Sequence, residues 1–179
     1  MRLLVRVIAV LSTAGLALTT AALPALATTR HSAACSTNWG TSAKRGGSSS
    51  TVSTPVKDVR VGKHGCFDRL VVDLGSGPRP PYAVQYVRQI LAQGSGQTLS
   101  VRGKAKLLII VRGPAARGYH SNAVNLADVS GFTTFRQVRG AGSFERITAI
   151  GLGTRAKLAF RVSLLGSSSS WRLVIDVAH

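Results

Sequence analysis

Acidic residues are scarce in this sequence: six Asp and Glu stand against 23 Lys and Arg in 179 residues. The scarcity argues against a metal site built from several carboxylates, and it leaves few candidates for an acid/base pair. Hydrophobic residues make up 45% of the chain, which is too many for a disordered basic tail. The length suits a single domain with a core of its own. We therefore expect one basic globular domain.

Long hydrophobic runs are also rare, and the one that approaches spanning length lies at the start of the chain. Residues 1–27 carry Arg2 and Arg6, then an apolar run over 7–23, and end on small residues up to Ala27. This order predicts a secretory signal peptide cleaved after Ala27. The alternative is an uncleaved membrane anchor. Cleavage would give a secreted, extracytoplasmic mature chain without a transmembrane segment, and would lower the formal charge from +17 to +15.

Export changes the partners that the positive charge predicts. Nucleic acid, the usual partner of a basic cytosolic protein, is not expected outside the cell. Cell-wall polymers, acidic glycans and anionic lipid headgroups offer the same attraction there. The alternative is a charged surface that serves only solubility. The candidate polyanion-binding residues are Arg79, Arg88, Arg102, Lys104, Lys106, Arg112, Arg117, Arg136, Arg139, Arg155, Lys157 and Arg161.

The chain has only two cysteines, Cys35 and Cys66. An even number of cysteines in an oxidising compartment favours one disulfide. A lipid anchor on Cys35 is disfavoured, because charged Arg30 lies where a lipoprotein signal would be apolar. We expect residues 28–55, rich in Ser, Thr and Gly, to form a flexible leader and linker that the disulfide ties to the folded domain.

From residue 56 to residue 179 the hydrophobic pattern has a period of two, which is typical of strands. Tyr82, Val84 and Tyr86 alternate with other residues, and the continuous apolar run 107–111 predicts a strand covered on both faces. Glycine-rich turns separate these segments. The predicted fold class is all-β, a sandwich of two similar antiparallel sheets.

One motif occurs twice, as Arg-Leu-Val-aliphatic-Asp-aliphatic. Arg69 and Asp73 belong to the first copy, and Arg172 and Asp176 to the second. Antiparallel pairing would place Arg69 opposite Asp176 and Asp73 opposite Arg172, whereas parallel pairing in register would oppose like charges. We predict that the two strands are antiparallel neighbours with two crossed ion pairs. The alternative is a pseudo-symmetric sandwich with one copy at the centre of each sheet.

These segments carry a resemblance to a known family. The motifs, in order, are Gly-Cys-Phe-Asp-Arg-Leu-Val-Val-Asp-Leu at 65–74, Asp-Val-Ser-Gly-Phe at 128–132, Gly-Ser-Phe-Glu at 142–145 and Arg-Leu-Val-Ile-Asp-Val-Ala-His at 172–179. The series resembles the AMIN-like domain of exported proteins in high-GC Gram-positive bacteria. The resemblance implies a β-sandwich and a non-catalytic module held at the cell envelope, with no catalytic residues to transfer.

Motifs for catalysis are weak by comparison. Gly151-x-Gly153-x-x-Ala156 fits a dinucleotide fingerprint by letter, but the sequence after it alternates as a strand. We predict no catalytic, cofactor or metal site, and no cofactor. The function expected is a secreted, envelope-associated binding module that engages wall glycan or another wall polyanion. The alternatives are an interaction module for another exported protein and, third, an uncharacterised hydrolase.

Overall fold

A computed structural model describes residues 35–48 and 54–179. The predicted signal peptide over 1–27 lies outside these residues, as does part of the predicted leader. The described residues form strands, turns and loops without any α-helix. None of them belongs to a helix that is long and apolar enough to cross a membrane.

In the described part of the chain, eleven strands form two main sheets and one short hairpin, all with antiparallel pairing. In chain order they are β1 (Lys44–Gly46), β2 (Val56–Lys63), β3 (Phe67–Leu74), β4 (Tyr82–Val87), β5 (Ile90–Leu91), β6 (Thr98–Leu99), β7 (Ala105–Val111), β8 (Phe135–Phe144), β9 (Ile147–Thr154), β10 (Phe160–Ser167) and β11 (Ser170–Ala178). The five-stranded sheet has the order β1-β4-β7-β9-β8, and the four-stranded sheet has the order β10-β11-β3-β2. The predicted all-β sandwich is confirmed.

The core follows the alternation of the sequence. Along β3, Leu70, Val72 and Leu74 are buried, and the neighbouring strand β11 buries Leu173 and Ile175 in the same way. Side chains of this size each contribute roughly 1.5–3 kcal/mol when they leave water. The apolar faces of the two repeated motifs therefore join in one core.

The repeated motifs lie on neighbouring antiparallel strands, as predicted. Asp176 is opposite Arg69, and Arg172 is opposite Asp73. The Arg69 guanidinium donates to both carboxylate oxygens of Asp176, at 2.7 and 2.9 Å. The second predicted ion pair is wrong, because Asp73 pairs with Arg60 of β2 at 2.8 Å. Asp73 has strands on both sides, and the Arg60 guanidinium approaches it from the other neighbour.

The leader differs from the predicted flexible linker at Lys44–Gly46, where it forms β1 and pairs with the first half of β4. The predicted disulfide is present, with 5.4 Å between the Cα atoms of Cys35 and Cys66. Between the disulfide and β1, the Gly40 carbonyl accepts a hydrogen bond from the Phe160 amide at 3.0 Å. These contacts are hydrogen bonds between backbone groups, which do not require an apolar side-chain pattern. The Ser, Thr and Gly composition of the segment therefore does not predict them.

Candidate ligand-binding furrow

Seven of the twelve predicted polyanion-binding residues lie at one end of the five-stranded sheet. Antiparallel pairing brings the last residues of β4 and β9 to the same end as the first residues of β7 and β8. The cations that lie in these strands or just beyond them line three adjoining depressions. They are Arg88, Arg102, Lys104, Lys106, Arg136, Arg155 and Lys157.

Two of the depressions form what we call the basic furrow. One, of about 570 Å³, is lined by Arg102, Lys104, Arg136 and Arg155. The other, of about 380 Å³, shares Lys104 with it and adds three further cations. They are Arg88, Lys106 and Lys157. No carboxylate of the described residues lines the basic furrow, so its field is uniformly positive.

The third depression, which we call the loop pocket, has a volume of about 830 Å³ and is formed largely by residues 125–132. Arg102 and Arg136 line it as well as the furrow, so the two spaces adjoin each other. The Arg136 guanidinium donates to the carbonyl oxygens of Phe132, Thr133 and Phe135. Because these partners are neutral, Arg136 keeps its net charge for a ligand.

Arg155 enters the furrow directly after β9. Its backbone amide donates to the Thr134 carbonyl at 2.9 Å, which holds the residue against the start of β8. Its side chain is half-buried, and its Nε lies buried without a hydrogen-bond partner among the described residues. A buried guanidinium nitrogen that lacks an acceptor favours an anionic group beside it.

Gln137 of β8 connects the walls of the two spaces. Its side chain is 4% exposed, and its Oε1 accepts the Arg102 amide at 2.8 Å. Its Nε2 donates to the Val124 carbonyl at 2.8 Å and to Asn125 Oδ1 at 3.2 Å. One buried amide therefore positions the loop before β7 and the loop before β8. Sequence reasoning missed this residue, and its one signal is a polar side chain on the buried face of a strand.

Close backbone packing fixes the Arg102 loop from the other side. A Cβ at Gly153 of β9 would lie 1.6 Å from the Arg102 carbonyl oxygen, so only glycine fits at that position. Gly103 has φ +123°, and a Cβ there would lie 2.7 Å from the Thr154 carbonyl oxygen. The Gly151-x-Gly153 motif thus lies within strand β9 and allows this close packing.

Asp128 is the acidic residue that lines the loop pocket. Its Oδ1 accepts the Ser130 amide at 2.8 Å, and its Oδ2 accepts the Ser130 hydroxyl at 2.9 Å. These two hydrogen bonds lower the pKa of Asp128 below its usual value. The carboxylate is therefore ionised at neutral pH, next to the guanidinium groups that line the same pocket.

The structure places the other five candidate cations elsewhere. Arg79 precedes β4 and Arg112 follows β7, so both lie at the opposite end of the five-stranded sheet, and Arg117 lies in the loop beyond Arg112. Arg139 donates to the Ser100 carbonyl at 2.9 Å. Arg161 donates to Asp176 at 2.8 Å, so its charge is used within the four-stranded sheet.

Other titratable clusters have structural partners. Asp68 is fully buried and accepts the backbone amides of Thr134 at 2.6 Å and Phe135 at 3.2 Å, while His179 Nε2 lies 3.2 Å away. The partners of Asp68 are therefore backbone amides and a histidine, not an arginine. His64 stacks on Phe67 at 4.5 Å. Within residues 35–48 and 54–179, no three His, Cys, Asp or Glu side chains are arranged to hold a metal ion.

The family of the chain follows from comparison with known proteins. Neither the curated proteins nor the solved structures contain a match to this chain. The family model described as the AMIN-like domain matches residues 54–179, which include β2 to β11 and every residue of the basic furrow. The match extends over more than half of the chain, and we conclude that the chain belongs to the AMIN-like domain family.

Proposed function

We propose that this protein is a secreted, non-catalytic binding module that engages an anionic polymer of the cell wall through the basic furrow. AMIN-like domains are cell-envelope-associated modules of a binding type, which supports the location and the absence of catalysis. The predicted signal peptide supports export. The observation that carries the proposal is the grouping of seven cations along adjoining concave spaces without an acidic residue in the furrow.

The electrostatics of the furrow favour a polymer over a small anion. Charges of one sign along a cleft focus the field and attract a chain of opposite charge. Each Lys or Arg close to an anionic envelope surface contributes on the order of 1 kcal/mol, and salt screens this attraction within about 8–10 Å. A polymer that contacts several of these cations together therefore binds in a salt-dependent way.

The experiment is retention of the mature protein on purified cell walls across a series of salt concentrations. The furrow variant carries Arg102→Gln, Lys104→Gln and Arg136→Gln. The control variant carries Arg79→Gln, Arg112→Gln and Arg117→Gln at the other end of the sheet, and it loses the same charge. At low salt we expect the furrow variant to lose roughly 100-fold in affinity, since three contacts of about 1 kcal/mol are removed. The control variant should bind nearly as well as the wild type.

Two outcomes would contradict the proposal. Equal loss in both triple variants would mean that only the total charge acts, without a furrow. A wild-type protein that stays in the supernatant at low salt would refute charge-driven binding altogether.

A second candidate, contact with another exported protein, is favoured by the turn between β8 and β9. Glu145 and Arg146 have φ angles of 48° and 62°, which cost non-glycine residues roughly 1–2 kcal/mol each. Phe144 beside them is 53% exposed. A two-residue hairpin turn requires positive φ at both positions, which Asn-Gly adopts without strain, so the presence of Glu and Arg favours a role for their side chains. The double variant E145N/R146G should have a higher Tm, and it should lose an exported protein that co-purifies with the wild type.

A further inference from the structure

The loop pocket and the basic furrow adjoin each other but differ in chemistry. Arg102 and Arg136 lie at the boundary and line both spaces. On the furrow side the charged residues that follow are cations, whereas on the pocket side the next charged residue is Asp128. A ligand that extends through both spaces must therefore satisfy a carboxylate at one end and several cations at the other.

The Asp128 carboxylate is fixed as a hydrogen-bond acceptor. Ser130 binds each of its two oxygens once, through its amide and its hydroxyl. A carboxylate oxygen accepts more than one hydrogen bond, so both oxygens retain acceptor capacity toward the pocket. The side chain is exposed, which leaves it accessible to a ligand. A hydroxyl group is the neutral donor that suits such an acceptor.

The rest of the loop pocket has the other features that a sugar ring requires. Phe132 is half-buried and stacks on buried Phe135 with 5.7 Å between ring centroids, which gives the pocket an apolar surface for ring C–H groups. Asn125 Oδ1 accepts from Gln137, so its amide nitrogen keeps two N–H donors. Lys63 Nζ lies 5.4 Å from the Phe132 centroid and adds a cation at this edge.

Two other classes of anionic partner fit this combination less well. A polymer whose only polar groups are phosphates has no donor for Asp128 and is repelled by it at short range. A flat anionic bilayer cannot place its headgroups against concave residues such as half-buried Arg155. An acidic polysaccharide carries hydroxyls and carboxylates along one chain, and so it matches both spaces.

We infer that the loop pocket is a sugar subsite and that the polymer bound along the furrow is an acidic polysaccharide. A sugar ring lies over Phe132 with hydroxyls on Asp128 and Asn125, and carboxylates of the following units contact Arg102, Arg136 and the cations of the furrow. This inference rests on the proposed function, because it names the ligand class of the same surface.

The test compares Asp128→Asn with the wild type on four probes: polygalacturonate, inorganic polyphosphate, neutral dextran and phosphatidylglycerol vesicles. For polygalacturonate we expect affinity to fall about tenfold, the usual effect of losing a hydrogen bond to a charged group. For polyphosphate the same variant should bind equally well or more tightly, because a repulsive charge is gone. Asp73→Asn removes the same charge from the four-stranded sheet, outside the pocket and the furrow, and it should change neither affinity. Dextran should bind weakly to all variants.

A second substitution keeps the test independent of the Asp128 loop. Asn125→Ala should lower the affinity for polygalacturonate by a few-fold, at the scale of one neutral hydrogen bond, and leave polyphosphate binding unchanged. Thermal melts of each variant identify any loss of folding.

The inference is overturned if Asp128→Asn strengthens binding to both polymers, or if the wild type prefers polyphosphate or the vesicles to polygalacturonate. These outcomes are separable from failure of the proposed function. If the furrow variant loses wall retention while Asp128→Asn has no effect on polygalacturonate, the furrow stands and the sugar subsite falls. If the furrow variant is retained on walls like the wild type, the proposed function itself fails.

Discussion

Asp176 and Asp73 occupy the same position in the repeated motif, yet the structure predicts very different effects for the same substitution. Asp176 is 2% exposed and accepts three hydrogen bonds, two from Arg69 and one from Arg161. Asp176→Asn removes the charge that holds both guanidinium groups. Loss of one partner from a buried ion pair costs about 3–5 kcal/mol. We expect about 3 kcal/mol, at the low end, because both arginines are partly exposed and can regain water.

Asp73→Asn is the matched control. Asp73 pairs with Arg60, whose side chain is 56% exposed, and solvent screens such a pair. Surface ion pairs contribute about 0–1 kcal/mol, so this variant should differ little from the wild type.

Thermal and denaturant unfolding at neutral pH measure both variants. For a domain of this size, a loss of about 3 kcal/mol lowers Tm by roughly 10 °C. Equal Tm values for Asp73→Asn and Asp176→Asn would refute the assignment of stability to the buried pair.

The pH dependence provides a second readout of the same residue. Burial raises the pKa of Asp176, but hydrogen bonds and charge from Arg69 and Arg161 lower it more, so the net shift is downward. A carboxyl with a pKa below its unfolded value of about 3.9 stabilises the fold above that pH, and the contribution is lost as the pH falls through the folded pKa. The stability gap between the wild type and Asp176→Asn should therefore be full at pH 7 and shrink below about pH 4. A gap that stays constant down to acid would contradict this account.

Three further substitutions test the site and its attachment. Gln137→Leu should lower the unfolding free energy by about 2 kcal/mol, since the Arg102 amide loses its buried partner, and wall retention should weaken with it; unchanged retention would exclude a positioning role. Gly153→Ala forces the Arg102 segment away from β9 and should destabilise the fold by about 1–3 kcal/mol in denaturant unfolding, whereas a neutral effect would contradict the close packing. Replacing Cys35 and Cys66 by Ser should cost about 3–4 kcal/mol for a loop of 31 residues, and a reducing agent should lower the wild-type Tm to that of the variant but leave the variant unchanged.

The sequence was sufficient for the architecture and for the pairing of β3 with β11, because period-two alternation and a charge pattern with one favourable register are local signals. It could not assign the partner of each charge. Asp73 and Asp176 occupy equivalent positions of the repeated motif, and Asp68, two residues after Cys66, has no feature in the sequence that marks it as buried. Their partners Arg60 and Arg161 come from the neighbouring strands β2 and β10, and Thr134 comes from the loop before β8, so only the assembled sheets determine which acid is buried.

The sequence predicted that basic residues form the binding surface, but it could not predict which of them lie together. Seven cations converge because the ends of four strands meet, and that meeting depends on the strand order of the five-stranded sheet. Arg161 carries the same charge but belongs to the other sheet, where Asp176 binds it. Gln137 positions the two loops of the site through neutral hydrogen bonds. Because it carries no charge and belongs to no motif, the sequence does not indicate its role.

The strand formed by Lys44–Gly46 bears on where this domain can be cut. The family match begins at residue 54, but β1 covers the hydrogen-bonding edge of β4 at 82–84, and Gly40 covers the first amide of β10. A fragment that starts at residue 54 would leave those groups unpaired, and an open sheet edge is a template for association between chains. Such a fragment is expected to aggregate where a fragment from Cys35 stays monomeric. The folding unit to express is therefore 35–179, because the leader covers edges that residues 54–179 alone leave open.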